Sequence, residues 1–354
     1  MKIVALTEKG CEEFAALELN KRFGVNCHKK WFLEFSSDLE KCYDVLMFSQ
    51  SITDLLIKIN SGSFKDMKDI SLQNLVEIKE IIGEKTVKIS CTRKGNHDFN
   101  SVELEKFLAE KTDDLNFELK NPDFYINVYV QDNEFVIGLS LAGRDLSKRQ
   151  YRVFNHPNSL KGTTAFCALI YSEKIGGDIL DPGALSGVIP IEAAFYQSNF
   201  PVNFYEPKFA LNKIKEIKKE YPKKTPKNIF SIDKSFKNVS AQKKNSKIAG
   251  VEKHIKFSRT DLENIDLKLY KDKDQLDLII TRGLDSSKRV SQKSSLEYYE
   301  KLLSQSKQVL KTKGVLTIIT QKPKTIEDLV KCKKVEVWQG NQKIYFVKVM
   351  KDDL

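Results

Sequence analysis

A compact group of basic and aromatic side chains lies in the middle of the chain. Lys148, Arg149 and Arg152 are interleaved with Tyr151, and Phe154 follows. Lysine and arginine bind phosphate oxygens and aromatic rings stack on unpaired bases, so this combination is typical of contacts to RNA. The alternative is a linker whose aromatic side chains dock onto the protein while its charges stay in water. Because the charges are clustered, we favour RNA binding.

The cysteines and histidines do not have the spacing of a metal site or of a disulfide framework. The six cysteines and four histidines are scattered along the chain, and none of the cysteine pairs has C-x-x-C spacing. This pattern argues against a zinc ribbon and against structural disulfides. We therefore expect reduced, mostly buried thiols and no metal.

The net charge of +11 is concentrated in the second part of the chain. Residues 1–150 have 21 basic and 25 acidic residues, whereas residues 151–354 have 38 basic and 23 acidic residues. A basic segment favours a polyanionic partner such as nucleic acid, and the alternative is a solvated, lysine-rich surface. The run Lys208–Lys227 is predicted to be a basic helix plus a loop, and we interpret it as a solvated face with non-specific attraction for phosphate.

The chain has no apolar run that could span a membrane and no apolar core of a signal peptide at its N-terminus. We expect a soluble, cytoplasmic protein of two or three domains.

The first two predicted units mix strands and helices. Residues 1–62 form a small α+β unit, and residues 63–150 form a second one. In the second unit, the helix Ser101–Leu115 is expected to begin with Ser101 as its N-cap. The segments Phe124–Val130 and Glu134–Leu141 read as two strands across a short polar turn.

The third unit, residues 151–354, alternates strands and helices. Its predicted helices include Val188–Gln197 and Phe236–Ile248, and the pair of strands Lys334–Trp338 and Lys343–Val349 closes the chain. This order predicts an α/β domain with a mostly parallel, doubly wound sheet.

Several stretches carry a family resemblance. Val87–Phe99 (VKISCTRKGNHDF) and Pro122–Val128 (PDFYINV) resemble the THUMP RNA-binding domain, and Leu146–Ala194 looks like the junction and first motif of THUMP-linked RNA methyltransferases. The resemblance spans nearly the whole chain in matching order. It implies a ferredoxin-like unit at 1–62, a THUMP domain at 63–150 and a Rossmann-like class I methyltransferase domain at 151–354. It also implies RNA, most often tRNA, as partner, with Arg93, Lys94 and His97 contacting it.

The first methyltransferase motif is only partly preserved. The family pattern is roughly D-P-x-C-G-S-G-T, and it implies that S-adenosylmethionine lies against this glycine-rich turn. The matching positions are Asp181, Pro182, Ser186 and Gly187. Leu185 occupies a glycine position and Val188 replaces threonine. Because glycine lets backbone approach a ligand closely, we expect Leu185 to fill or distort the pocket.

Two further carboxylates fit the family's cofactor pattern. The resemblance implies that Asp233 accepts hydrogen bonds from the ribose and that Asp261 contacts the adenine. Asn245 also matches the pattern. The alternative for each aspartate is a loop or N-cap residue.

The catalytic motif is not matched. The family continues its fourth strand, here Asp277–Thr281, with N/D-P-P-Y/F, which grips the target amino group. This chain has Arg282, Gly283, Leu284 and Asp285 instead. Arginine has only donors and cannot accept a hydrogen bond from an amine, whereas Asp285 could accept a proton in a different chemistry.

Three functional hypotheses follow. The first is an RNA-binding family member that has lost or altered methyl transfer, acting as a scaffold or partner subunit. The second is an active S-adenosylmethionine-dependent RNA guanine-N2 methyltransferase with a diverged site. The third is a Rossmann-like domain reused for a small ligand, against which the basic charge and the THUMP resemblance weigh.

Overall fold

The strands form two seven-stranded sheets in a computed structural model that describes residues 1–73, 75–112, 115–266 and 276–354. The first sheet belongs to the first part of the chain and the second sheet to the part after residue 178. Within the described residues, no helix combines the length and apolarity that crossing a membrane requires.

The N-terminal unit has the β-α-β-β-α-β order of a ferredoxin-like motif. Its elements are β1 (Lys2–Thr7), α1 (Glu12–Phe23), β2 (His28–Lys29), β3 (Leu33–Ser36), α2 (Leu39–Phe48) and β4 (Ile52–Ser63). The strands pair antiparallel in the order β2-β3-β1-β4. α1 has glutamates in its first turn and basic residues in its last, which complements the helix dipole.

The next unit extends the same sheet. Its elements are α3 (Leu75–Ile82), β5 (Val87–Lys94), α4 (Ser101–Glu110), β6 (Phe124–Gln131) and β7 (Glu134–Ser140). β7 pairs with β4, so the two predicted units share one sheet and one hydrophobic core. The predicted boundary after residue 62 therefore falls inside β4.

The prediction for the start of α4 was wrong. Asn100, not Ser101, is the N-cap: its side-chain oxygen accepts from the Glu103 amide at 3.0 Å, and the Glu103 carboxylate accepts from the Asn100 amide at 2.8 Å. This reciprocal capping box satisfies two donors that the helix cannot pair internally. The helix ends at Glu110 rather than at Leu115.

The remainder of the chain confirms the predicted α/β fold with a doubly wound sheet. Its elements are α5 (Gly162–Tyr171), β8 (Ile179–Asp181), α6 (Val188–Ser198), β9 (Ile229–Asp233), α7 (Phe236–Ile248), β10 (Lys256–Arg259), β11 (Leu276–Arg282), α8 (Gln292–Val309), β12 (Leu310–Thr320), α9 (Lys324–Glu327), β13 (Lys333–Gln339) and β14 (Gln342–Met350). The order is β10-β9-β8-β11-β12-β14-β13, parallel from β10 to β12. The order reverses direction between β8 and β11, and ligands bind outside the carboxyl ends of the strands at such a point.

The lysine-rich segment 208–227 contradicts the predicted helix, whereas its lysines are exposed, as expected of a solvated face. Its only regular structure is a short 3₁₀ turn, Ala210–Lys213, and three of its lysines form ion pairs with carboxylates of the first two units. The ion pairs are Lys213–Asp123, Lys215–Glu40 and Lys219–Asp44. Ile217 is buried in the first core. We call this segment the lysine strap; its prolines disfavour a helix, and its ion pairs with the first two units hold it against them.

Candidate functional site

A cavity of about 470 Å³ opens at the carboxyl ends of the parallel strands, where the strand order reverses between β8 and β11. It is bounded by the turns that follow β8, β9, β10 and β11 and by one face of α8. The lining residues that matter here are Pro182, Gly183, Leu185, Asp233, Asn238, Asp261, Arg282, Leu284, Glu297 and Tyr298.

Asp233 ends β9 and is buried, with 5% of its surface exposed. Its Oδ1 accepts from the Ser235 amide at 2.8 Å, and its Oδ2 accepts from the Leu185 amide at 3.1 Å and from Asn238 Nδ2 at 3.0 Å. A carboxylate has about four acceptor positions, so three protein donors leave little capacity for the two hydroxyls of a ribose. The loop between β8 and α6 is thus held against the carboxylate that the resemblance assigns to the ribose.

Leu185 lies in this loop in the left-handed region, with φ of 49°. A residue with a Cβ pays about 1–2 kcal/mol for that conformation, which glycine would adopt freely. Leu185 is half-buried and lines the cavity, and the expectation that it fills or distorts a cofactor pocket stays a prediction. Both backbone groups of Leu185 are hydrogen-bonded: its amide donates to Asp233, and its carbonyl accepts from Gln242 Nε2 at 3.2 Å.

Ser186 and Gly187 do not line the cavity. The Ser186 hydroxyl is buried and hydrogen-bonded to the Ser159 hydroxyl at 2.5 Å. Gly187 has a φ of 84° at the start of α6 and packs against Gln242. Asn245 donates to the carbonyls of Ser186 and Phe154 at 2.9 and 3.0 Å. These residues shape the turn rather than contact a ligand in the cavity.

Asp181 and Asp261 differ in their surroundings. Asp181 is buried beside Arg282 in a small recess behind the cavity, and burial raises the pKa of its carboxyl to about 7. Asp261 is exposed at the rim of the main cavity. Of the five predicted cofactor residues, the structure therefore brings Asp233 and Asp261 to one cavity and Asp181 to the adjoining recess.

Among the four residues at the catalytic-motif positions, Asp285 is turned away from the cavity. Its carboxylate accepts from the Tyr299 hydroxyl at 3.1 Å, from the Gln321 amide at 2.8 Å and from the Thr320 hydroxyl. With these acceptor positions filled by the protein, Asp285 has a structural role and is not placed to act as a base. The alternative chemistry suggested for it at the sequence level is not supported.

Arg282, Gly283 and Leu284 do line the cavity. The side chain of Arg282 is 15% exposed, and the nearest charge is Asp285, whose Oδ2 lies 3.9 Å from Arg282 Nη2. Burial lowers the pKa of the guanidinium, and Asp285 opposes that effect. The end of the fourth parallel strand therefore offers donors to the cavity where amine methylation requires acceptors.

Two features of this cavity oppose the binding of S-adenosylmethionine. The side chain of Leu185 lines the space expected for the amino-acid part, and Asp233 is already engaged by three donors. We derive no methyl-transfer step from this geometry. Among the described residues, no cluster suited to a metal ion is present.

The sequence analysis did not identify the contribution of α8. Glu297 at the rim and Tyr298 deeper in the wall both face the cavity. Burial raises the pKa of the Tyr298 hydroxyl far above its usual range, so it is a neutral donor or acceptor. Helix periodicity marks one face of α8 as buried, but only the packed structure shows that this edge of the face meets the strand ends.

The predicted RNA-binding turn after β5 is held by its own contacts. Arg93 Nη1 lies 2.8 Å from His97 Nδ1, and the Arg93 guanidinium lies 5.4 Å from the centre of the Phe99 ring. The His97 ring packs between Phe64 and Phe99. Lys94 is exposed and therefore remains free to reach phosphate.

Lys94 also lines a groove of about 430 Å³ on the open face of the first sheet. Its lining includes basic, aromatic and amide side chains: Lys9, Trp31, Asn127, Tyr129, Arg144 and Lys161. At its base, the buried Asp54 accepts from Asn127 Nδ2 at 2.7 Å and from the Tyr129 hydroxyl at 3.0 Å. Burial raises the pKa of Asp54 to about 6.

The prediction that Arg149 binds RNA was wrong. Its side chain is 2% exposed, and its Nε donates to Glu192 Oε1 at 2.8 Å. Its Nη2 donates to the carbonyl of Gln50 at 2.6 Å, and Gln50 Nε2 donates to Glu192 Oε2 at 2.7 Å. Tyr151 is also buried and donates to Glu192 at 2.8 Å. Arg149 thus joins the N-terminal unit to α6 and is sealed from solvent.

The other two members of that group lie nearer the surface. Lys148 is exposed and Arg152 is half-buried. Phe154 is exposed, and Lys244 Nζ lies 4.7 Å from the centre of its ring. The predicted role of Lys148 and Arg152 in RNA binding stays a prediction.

Comparison with known proteins agrees with this architecture. The profile described as RMKL-like, methyltransferase domain, matches residues 149–347, and the THUMP domain profile matches residues 63–140. A protein of Methanocaldococcus jannaschii named tRNA (guanine(6)-N2)-methyltransferase is 29% identical over 86% of this chain and 85% of its own length. Its namesake in Archaeoglobus fulgidus is 29% identical over 90% of this chain and 83% of its own length.

A solved structure described as SMU.472, a candidate methyltransferase complexed with SAH, superposes with a TM-score of 0.77. It covers 98% of this chain and 97% of that one at 15% identity, which shows a shared fold. The chain belongs to the family of RMKL-like methyltransferase domains, and a THUMP domain precedes the methyltransferase domain in the sequence.

Proposed function

We propose that this protein binds tRNA and does not methylate an exocyclic amine by the family's usual chemistry. The observation that carries the proposal is the end of β11: Arg282 presents donors to the cavity, and Asp285 is fully engaged elsewhere. An amine that is to be methylated needs acceptors there to orient its lone pair. In this role the protein acts in the cytoplasm as a scaffold, or as a subunit beside a catalytic partner.

RNA binding is supported by the first sheet and by the charge of the chain. The groove on that sheet combines lysines, an arginine and aromatic rings, and Lys94 and Lys148 are exposed. Positive side chains attract phosphate, and aromatic rings stack on unpaired bases. The THUMP domain match and the names of the relatives favour tRNA over other RNAs.

A second candidate is an active RNA guanine-N2 methyltransferase with a diverged site. The open cavity of about 470 Å³, with Asp233 and Asp261 on its wall, favours this candidate. It requires the loop around Leu185 to move off Asp233 before the cofactor enters.

One pair of measurements separates the two candidates. The first is calorimetric titration of the protein with S-adenosylmethionine, alone and with total tRNA. The second is incorporation of tritiated methyl groups into tRNA. We expect salt-sensitive tRNA binding, no heat at millimolar cofactor and no incorporation. Micromolar cofactor binding with one methyl added per tRNA would establish the second candidate instead.

A control variant makes a negative titration informative. Leu185→Gly removes the side chain from the cavity without adding a charge. If this variant binds the cofactor and the natural protein does not, the occluding leucine is the cause. Absence of tRNA binding at low salt would contradict both candidates.

A further inference from the structure

The exposed face of α7 carries charge of one sign. Lys237, Lys243, Lys244 and Lys247 are all exposed on this helix of 13 residues, and α7 contains no acidic residue. Among the described residues, none of these four ammonium groups forms an ion pair or a hydrogen bond. Lysines three or four positions apart on a helix lie side by side and repel one another. The lysine face of α7 is therefore suited to a partner of negative charge.

Other lysines of the chain are arranged differently. In the lysine strap, Lys213, Lys215 and Lys219 are also exposed, but each forms an ion pair with a carboxylate of the first two units. Lysine content alone does not explain the difference, because the chain has 48 acidic residues for 59 basic ones. The missing carboxylates are thus a property of the α7 face.

The segment between the two sheets connects α7 with the groove on the first sheet. Ser147 lines that groove, and its neighbour Lys148 is exposed. Phe154 lies against α7: its amide donates to Asn245 Oδ1 and its carbonyl accepts from Asn245 Nδ2, both at 3.0 Å. Lys244 Nζ lies 4.7 Å from the centre of the exposed Phe154 ring. Basic side chains therefore continue from the groove to the lysine face of α7.

We propose that the lysine face of α7 is a second RNA-contact surface, which binds the phosphate backbone of the same tRNA that the first sheet holds. The inference rests on the proposed tRNA binding and extends it to the second sheet. Lysine attracts phosphate as a flexible point charge, so this surface adds affinity and orientation without a preference for a base. A helix rises about 1.5 Å per residue, so α7 spans about 20 Å and is long enough to follow several phosphates.

The remainder of the face favours RNA over a protein or a lipid surface. Apart from Phe236 and Ile248 at the two ends of α7, its exposed side chains are polar or charged. A protein interface has an apolar core, and a helix lying in a membrane surface buries an apolar face. The apolar side chain Val239 of α7 is instead buried in the protein. Charge is what this face offers, and charge is what an RNA backbone requires.

The test measures retention of tRNA on filters by the full-length protein at several salt concentrations. The variant Lys243→Gln/Lys244→Gln/Lys247→Gln removes three charges from the face, and glutamine has nearly the helix propensity of lysine. Because like-charge repulsion is relieved, the variant should fold normally, which circular dichroism checks. Each phosphate contact contributes about 0.7–0.9 to the slope of log K against log salt, so the slope should fall by about two to three.

The matched control removes three charges near the other end of the second sheet, since α7 packs against β9 and β10. Lys313, Lys324 and Lys331 are exposed, and within the described ranges their ammonium groups form no ion pair. They lie in β12, in α9 and just before β13. The triple glutamine variant at these positions has the same net charge as the α7 variant, and it should keep the salt slope of the natural protein.

Phosphate-ethylation interference locates the contacts on the RNA. For the natural protein we expect ethylation to weaken tRNA binding at a limited set of phosphates. The α7 variant should lose the interference at some of these phosphates and keep it at the others, because the groove on the first sheet is unchanged. The control variant should give the pattern of the natural protein.

An unchanged salt slope in the folded α7 variant would overturn the inference, and it is the result expected if a protein or a lipid surface occupies this face. An equal fall of the slope in both variants would also overturn it, because net charge alone would then explain the loss. If the natural protein does not retain tRNA even at low salt, the proposed function is wrong and the inference fails with it.

Discussion

The buried pair Arg149–Glu192 provides a test of the structural role assigned to Arg149, which joins the N-terminal unit to α6. Glu192 on α6 is fully buried and accepts from Arg149, Tyr151 and Gln50. Replacing Arg149 by methionine keeps most of the side-chain volume and leaves the Glu192 carboxylate without an opposite charge. The Gln50 carbonyl also loses the donor that lies 2.6 Å from it.

Breaking a buried ion pair from one side costs about 3–5 kcal/mol, because the remaining charge is desolvated and unpaired. The free energy of unfolding of an ordinary protein is about 5–15 kcal/mol, so Arg149→Met should lose a large part of its stability. Removing both charges in Arg149→Met/Glu192→Met should cost less than the single substitution, since no isolated charge is then buried.

Urea unfolding followed by circular dichroism measures these free energies, and filter binding measures the affinity for tRNA at several salt concentrations. Lys148→Met is the matched control, because Lys148 is the exposed neighbour. It should change the free energy of unfolding by less than about 0.5 kcal/mol, yet it should reduce the salt slope of tRNA binding by about one. A loss below about 1 kcal/mol for Arg149→Met, or a reduced salt slope in the folded variant, would refute the structural role assigned here.

Three further predictions follow from single sites. Gly162→Ala should destabilise the protein by about 1–3 kcal/mol in urea unfolding, because a Cβ there would lie 2.4 Å from Glu192 Oε1; an unchanged midpoint would contradict the packing. Leu185→Gly should leave stability equal or higher, since the left-handed φ of 49° is then unstrained, and a clear loss in thermal melts would count against that explanation. The pKa of Asp54 is raised to about 6 by burial, so the folded state binds the proton more tightly than the unfolded state, and stability falls as pH rises from about 4 to 6. In Asp54→Asn, the loss of stability between these pH values should be smaller by up to about 3 kcal/mol. If the melting temperature of the variant depends on pH as that of the natural protein does, Asp54 does not titrate in this range.

The sequence by itself determined the order and type of most elements. Local periodicity and turn residues predict α7 with the bounds that the structure has, because these signals depend on residues close together in the chain. The alternation of strands and helices after residue 151 was enough to predict the doubly wound sheet. Matching motifs pointed to Asp233 and Asp261, which do meet at one cavity.

Tertiary structure decided which charged residues are free. Arg149 and Lys148 are neighbours in sequence, yet one is sealed by Glu192 and the other is exposed. Gln50 and Glu192, which complete the Arg149 site, lie 142 residues apart in the chain, so no local pattern reveals them. The sequence likewise predicts a helix in the lysine strap, and only the structure shows its ion pairs with Glu40 and Asp44.

The same physical reason applies to the cavity. The sequence leaves Asp285 as a possible base and excludes Arg282 as an acceptor. Hydrogen bonds from Tyr299 and Gln321 remove Asp285 from the site, whereas Arg282 lines the cavity. Residue types and spacing determine which chemistry a site can contain. Burial and hydrogen-bond partners, which arise from distant parts of the chain, determine which of those groups remains available to a ligand.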